Sequence, residues 1–184
     1  MGKVYQALDD KLIAFIEAQK MFFVATAPLA AKGHVNVSPK GMDGVRILDD
    51  HTVAYLDVTG SGVETISHLK ENGRMVMMFC AFEGKPMILR LHGRGEVLEN
   101  QHPEFAGLLP RFPALPARRA IIRLHVERIA DSCGWTVPLY GFQGTRDYYD
   151  NYAASLTDER LRKAQLASNM QSIDELPGLS SPTV

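Results

Sequence analysis

Three short stretches of this chain bring together residue types able to hold an anion. The first is Val58-Thr59-Gly60-Ser61-Gly62, leading into Glu64-Thr65. Its glycines let the backbone approach a bound group closely, and the free amides at a helix start point toward negative charge. Thr59, Ser61 and Thr65 add hydroxyl donors. The same residues also have a purely structural reading, because Ser61 and Glu64 match the Ser-x-x-Glu capping box. No Lys follows the glycines and the spacing is not Gly-x-Gly-x-x-Gly, so neither a P-loop nor a dinucleotide fingerprint is present. The second stretch is Asn36-Val37-Ser38-Pro39-Lys40-Gly41, a strand running into a turn. Pro39 fixes the backbone just before Lys40, whose ammonium is a point-charge partner for a phosphate or a delocalised anion. A solvated turn lysine is the plainer alternative. The third is Leu89-Arg90-Leu91-His92-Gly93-Arg94, where a two-residue period puts Arg90, His92 and Arg94 on one face. That face is either the wall of an anion site or a solvated exterior.

Other chemistries lack their residues. The six histidines are scattered without ligand spacing, and the two cysteines, Cys80 and Cys133, are far apart, so a structural metal is not expected. No Gly-x-Ser-x-Gly elbow marks a serine hydrolase. Cys133 precedes Gly134 in nucleophile-like fashion, but no base accompanies it. Cys80 lies in an apolar run and reads as a core thiol. A formal charge of -1 argues against nucleic acid, whose binders carry a basic excess. No run approaches the ~20 apolar residues of a membrane helix, and the start has neither an apolar signal region nor the Ser or Thr that myristoylation wants at Gln6. A soluble protein of the cytoplasm is expected.

The elements that must position these stretches follow from periodicity. Leu8, Leu12, Phe15 and Ile16 repeat at helical spacing, predicting a helix over 8–20. Strands are predicted at 21–27, 34–38, 45–48, 52–57, 74–82, 86–98 and 117–130, mostly joined by short turns. Helices are expected at 63–72, 102–109 and 146–168. Such a series of six or seven strands describes an antiparallel barrel of the α+β class, not alternating βαβ units. One domain over 1–168 is expected, followed by a mobile tail at 169–184.

In order and spacing these pieces resemble the pyridoxamine 5'-phosphate oxidase-related family of FMN-binding split β-barrels. The carrying residues are Phe22-Phe23-Val24-Ala25-Thr26, His34 to Gly41, Thr52-Val53-Ala54-Tyr55-Leu56-Asp57 with Thr59-Gly60-Ser61-Gly62, His68-Leu69-Lys70-Glu71-Asn72, Met77 to Phe82 and Leu89 to Gly95. The resemblance covers about 10–140. It implies an antiparallel split β-barrel with flanking helices, and an FMN held at the interface of a homodimer. Thr59, Ser61, Gly62 and Thr65 would then meet the FMN phosphate. Ser38, Pro39 and Lys40 would line the ring or ribityl chain. Arg90 and Arg94 join them as candidate cofactor contacts, and the loop with Cys133 and Trp135 would reach the partner's flavin.

The chain also departs from that pattern. The Arg-Lys pair that true pyridoxamine phosphate oxidases carry after the strand matching 52–57 is replaced by Thr-Gly-Ser-Gly. Their Gln on the later strand corresponds to Ile88, and no Trp-Arg-His signature follows Trp135. The expected function is therefore an FMN-dependent oxidoreductase using a small-molecule substrate or electron donor, without the grip on pyridoxine phosphate. Two alternatives are a flavin- or haem-binding barrel without turnover, with His34, His92 or His125 as axial ligand, and a barrel without cofactor.

Overall fold

Alternating burial decides how the strands lie. In β2 (Phe22–Thr26), Phe22, Val24 and Thr26 turn inward, and in β7 (Ile88–Glu99) Leu89 and Leu91 do the same. The computed structural model describes residues 2–184, the side chain of Ala153 excepted. The remaining strands are β1 (Val4–Tyr5), β3 (Asn36–Lys40), β4 (Val45–Asp49), β5 (Thr52–Val58), β6 (Arg74–Cys80) and β8 (Arg118–Ser132). All pair antiparallel in the order β3-β2-β6-β7-β8-β5-β4, with β1 added on β8. The class is α+β, as the periodicity predicts. The pair Val4–Tyr5 is too short to show in the periodicity.

Among the described residues five α-helices flank this sheet: α1 (Asp10–Ala18), α2 (Glu64–Asn72), α3 (Phe105–Leu108), α4 (Tyr148–Ala154) and α5 (Asp158–Ser168). Asp9 caps α1 by accepting from the Leu12 amide at 2.9 Å, and Leu12 and Ile16 face the core. Helix α2 ends at Gly73, whose φ of 70° suits a residue without Cβ. A capping box at Ser61 is not formed: Val63 precedes the helix and no side chain caps it. The segment 146–168 is two helices rather than one. Thr157 starts the second by accepting from the Arg160 amide.

The core fills the barrel interior, from Ile16 and Phe22 through Tyr55 and Phe79 to Ile122 and Leu124. A second cluster covers the outer face of β5, β7 and β8, where Phe105 and Phe112 lie on Ala54, Leu56, Leu98 and Ile121. Two bulges bend β8. One opposes Gly93, where a Cβ would stand 1.9 Å from the His125 carbonyl oxygen, so only glycine fits. The other separates Asp57 from Val58, leaving Arg119 as the extra residue between Arg118 and Ala120.

The segment 169–184, expected to be a mobile tail, lies docked on the barrel. Leu179 is buried in the core, and the amides of Gly178 and Leu179 donate to the Met170 and Asn169 carbonyls at 2.8 Å each. Its Pro, Gly and Ser content suggested a free chain, but one well-placed leucine and a backbone pairing give it a seat. Among the described residues, no helix is long and apolar enough to cross a membrane.

Candidate functional site

Where β3 and β5 face each other across the barrel's split, a cavity of about 450 Å³ opens. This is within the roughly 300–1,000 Å³ of small-molecule pockets. Ser38, Pro39 and Lys40 line one side, and Thr59, Ser61, Gly62 and Thr65 line the other. Seven sequence-predicted residues thus share one cavity. Their neighbours include Tyr55, Asp57, Arg119 and Tyr149, which sequence reasoning did not single out.

Asp57 anchors the charged end. It is only 1% exposed, and its two carboxylate oxygens accept separately. Lys40 Nζ donates to Oδ1 at 3.0 Å, and Arg119 Nε donates to Oδ2 at 2.6 Å. Burial alone would push this carboxyl up. The two cations outweigh that and hold it below the usual carboxylate range. Lys40 is therefore neither a free turn lysine nor an uncommitted charge. The trio carries one net positive charge. Arg119 also donates from Nη1 to the Gly62 carbonyl at 2.8 Å, which links the trio to the glycine loop. The bulge in β8 explains how Arg119 comes to face inward. An extra residue in a strand re-aims its side chain, so a strict two-residue period misplaces it. Asp57 did carry a signal: it shares a face with the core residues Val53 and Tyr55, and a carboxylate there requires a cation.

The loop end is built differently. Thr59 Oγ1 accepts from Gln165 Nε2 at 2.8 Å, and Thr65 Oγ1 accepts from Asn36 Nδ2 at 2.9 Å. Accepting leaves each hydroxyl proton free to be donated. The amides of residues 60–64 form no hydrogen bond among the described residues, as is usual at a helix start. Beside them, the buried Tyr55 hydroxyl has no partner among the described residues. Burial first, and then Asp57, push its pKa well above the ordinary tyrosine value. A cavity with unpaired donors at one end and a net positive trio at the other suits an elongated, anion-bearing ligand.

A polar path leads inward from Ser38. Ser38 donates to Asn36, Asn36 to Thr26, and Thr26 is paired with His68 Nδ1 at 2.9 Å. Burial lowers the His68 pKa, and its Nε2 has no partner among the described residues.

Arg90, Arg94, Cys133 and Trp135 do not join this cavity. Arg90 donates to Ser132 Oγ at 2.9 Å, and Arg94 donates to the Asn72 carbonyl at 3.0 Å and lies near Glu127. Both occupy the outer face of β7, because the inner face belongs to Leu89 and Leu91. Cys133 and Trp135 sit in the loop after β8, with Trp135 81% exposed. Nor do His34, His92 or His125 line the cavity. His34 pairs with Asp174 at 2.6 Å and His125 with Glu96 at 3.4 Å. Cys80 is buried, and burial raises its thiol pKa.

The chain is similar to known proteins. The family model for pyridoxamine 5'-phosphate oxidase matches residues 8–133. The pyridoxamine 5'-phosphate oxidase family protein ustO of Aspergillus flavus is 38% identical over 194 residues, covering 96% of this chain and 78% of its own. Among solved structures, HupZ of Group A Streptococcus matches with a TM-score of 0.53 at 24% identity, over 73% of this chain and 99% of its own. A protein of Lactobacillus delbrueckii, provisionally described as a pyridoxamine 5'-phosphate oxidase, matches with a TM-score of 0.53 at 18% identity, over 69% of this chain and 98% of its own. At these identities the structural likeness is one of fold alone. The fold is an antiparallel split β-barrel, and the chain belongs to the pyridoxamine 5'-phosphate oxidase family.

Proposed function

We propose that the cavity holds FMN, and that the protein is an FMN-dependent oxidoreductase acting on a small molecule as a cytoplasmic homodimer. The observation that carries this reading is the shared cavity: the hydroxyls of Thr59, Ser61 and Thr65 with the unpaired amides of 60–64 on one side, Ser38-Pro39-Lys40 on the other. When bound, FMN supplies hydride or electron transfer at its ring system. Thr59, Ser61 and Thr65 would donate to its phosphate, and Gly62 would let the backbone approach it. Arg119 keeps that loop in place through the Gly62 carbonyl. Strand β3 would support the ring, with Lys40 held to Asp57 so that its charge is partly neutralised. Trp135, Leu139 and Tyr140 expose apolar surface on one loop, which a second copy would cover.

An absorbance spectrum of the purified protein, followed by titration of apoprotein with FMN and riboflavin, tests the reading. A band near ~450 nm is expected. Joint replacement of Thr59, Ser61 and Thr65 by Ala should weaken FMN far more than riboflavin, since only FMN presents the anion. Equal losses for the two ligands would sink the phosphate assignment. Sedimentation tests the dimer, and a monomer binding FMN at full affinity would overturn it.

A further inference from the structure

We infer that Gln165 and Asn169, held by the chain that follows α5, are positioning residues that set the glycine loop for a phosphate and so make the cavity prefer FMN to riboflavin. This inference rests on the FMN reading above. Both side chains are fully buried, and both reach the loop. Gln165 Nε2 donates to Thr59 Oγ1 and to Thr183 Oγ1, each at 2.8 Å, while its Oε1 accepts from the Thr183 amide at 2.8 Å. Asn169 Nδ2 donates to the Gly60 carbonyl at 2.9 Å. A third tie runs from the Ile173 amide to Glu64 Oε1 at 3.3 Å, at the first turn of α2.

The strap itself is firmly seated. Leu179 enters the core, and Gly178 passes so close to Asn169 that a Cβ would stand 2.3 Å from its carbonyl oxygen. All of these residues lie beyond 133, outside the stretch that the family model covers. The barrel alone therefore leaves the Gly60 carbonyl and the Thr59 hydroxyl without these partners.

Directionality gives the strap its consequence. A threonine hydroxyl carries one proton, and the Gln165 amide occupies an acceptor position on Thr59. The Thr59 proton is thereby left for a ligand oxygen. The carbonyl of Gly60, turned toward Asn169, is kept from facing an incoming anion. Donors ordered before the ligand arrives spare the complex the cost of ordering them on binding. Helix packing alone would be served by apolar residues at 165 and 169, since buried amides carry a desolvation cost unless they are bonded.

The test titrates unliganded wild type, Gln165→Met and Asn169→Leu with FMN and with riboflavin, following flavin fluorescence. Each substitution should weaken FMN by about tenfold and leave riboflavin within about twofold. A wild type without preference for FMN overturns the phosphate reading, and the strap's role with it. A wild type that prefers FMN, with variants that keep the preference or lose both ligands equally, overturns the strap alone. Thr183→Val covers the case in which Gln165→Met fails to fold, because it keeps the Thr59 contact and removes only the hydroxyl half of the anchor of Gln165, leaving the residue 183 amide on Oε1. There the same split should appear at smaller size, with faster hydrogen exchange in the unliganded protein at the Thr59 amide, which donates to the Ala117 carbonyl at 2.8 Å. Unchanged exchange and an unchanged split overturn the inference.

Discussion

The two ends of the cavity satisfy their polar groups in opposite ways. At the charged end, both oxygens of Asp57 are taken, one by Lys40 and one by Arg119. These residues come from β3, β5 and β8, so the trio ties one edge of the sheet to strands near the other. At the loop end, hydroxyl protons and amides stay open, and the bonds that exist run backward to Asn36, Gln165 and Asn169. The charged end is thus closed on itself and serves the walls, while the loop end is braced from behind and open in front.

Substitutions should separate these roles. The largest effect belongs to Asp57→Leu, which strands two cations around a buried position. A loss of about 3–5 kcal/mol in urea denaturation is expected, and a loss below 1 kcal/mol would show the trio to be solvated. At the loop end, Thr59→Val removes the acceptor for Gln165 and should cost about 1–2 kcal/mol by the same measurement. Lys40→Met leaves Asp57 with Arg119 and takes the trio to neutrality. It should destabilise reduced, anionic FMN by about 1 kcal/mol, lowering the midpoint by roughly 20 mV in a redox titration. An unchanged midpoint removes Lys40 from the ring's vicinity.

The polar path that leads inward from Ser38 can be read through pH. His68 titrates below its ordinary 6.5 because burial disfavours its charged form. The unfolded chain therefore binds the proton first, and stability is lost as pH falls from about 6.5 toward the folded value. Asp57, also depressed, adds its loss only as pH falls below its ordinary 3.8. His68→Gln should flatten the first part of the Tm-against-pH curve and leave the second. Smallest of all is the effect of Ser61→Ala on stability. Ser61 caps nothing, so a change within about 0.5 kcal/mol is expected in unliganded protein, against the ~1 kcal/mol that a true N-cap would lose.

Much of the architecture was legible because it rests on local periodicity. Alternation placed β2, β5, β6 and β7 within a few residues of their observed bounds, and the order of turns gave the antiparallel class. The seven cavity residues on 38–40 and 59–65 were legible because glycines, hydroxyls and a proline-fixed lysine cluster in two short stretches. What escaped depends on long-range contact or on broken periodicity. Arg119 turns inward only because of a bulge. The docking of 169–184 depends on Leu179 finding a core built by residues far away in sequence. Arg90 and Arg94 show the opposite error: a shared face was read correctly, but that face is the exterior.

The cavity's walls come from 22, 36–44, 55–65, 115–119 and 149, with braces at 165 and 169. No fragment contains enough of them to recognise a ligand, and β5 meets β8 only after some sixty residues have been closed into a loop. Loop closure of this kind must come before the contacts that reward it. A molecule that recognises only the finished cavity thus arrives after the rate-limiting step. It should lengthen the lifetime of the native state by slowing unfolding, while the refolding rate stays the same.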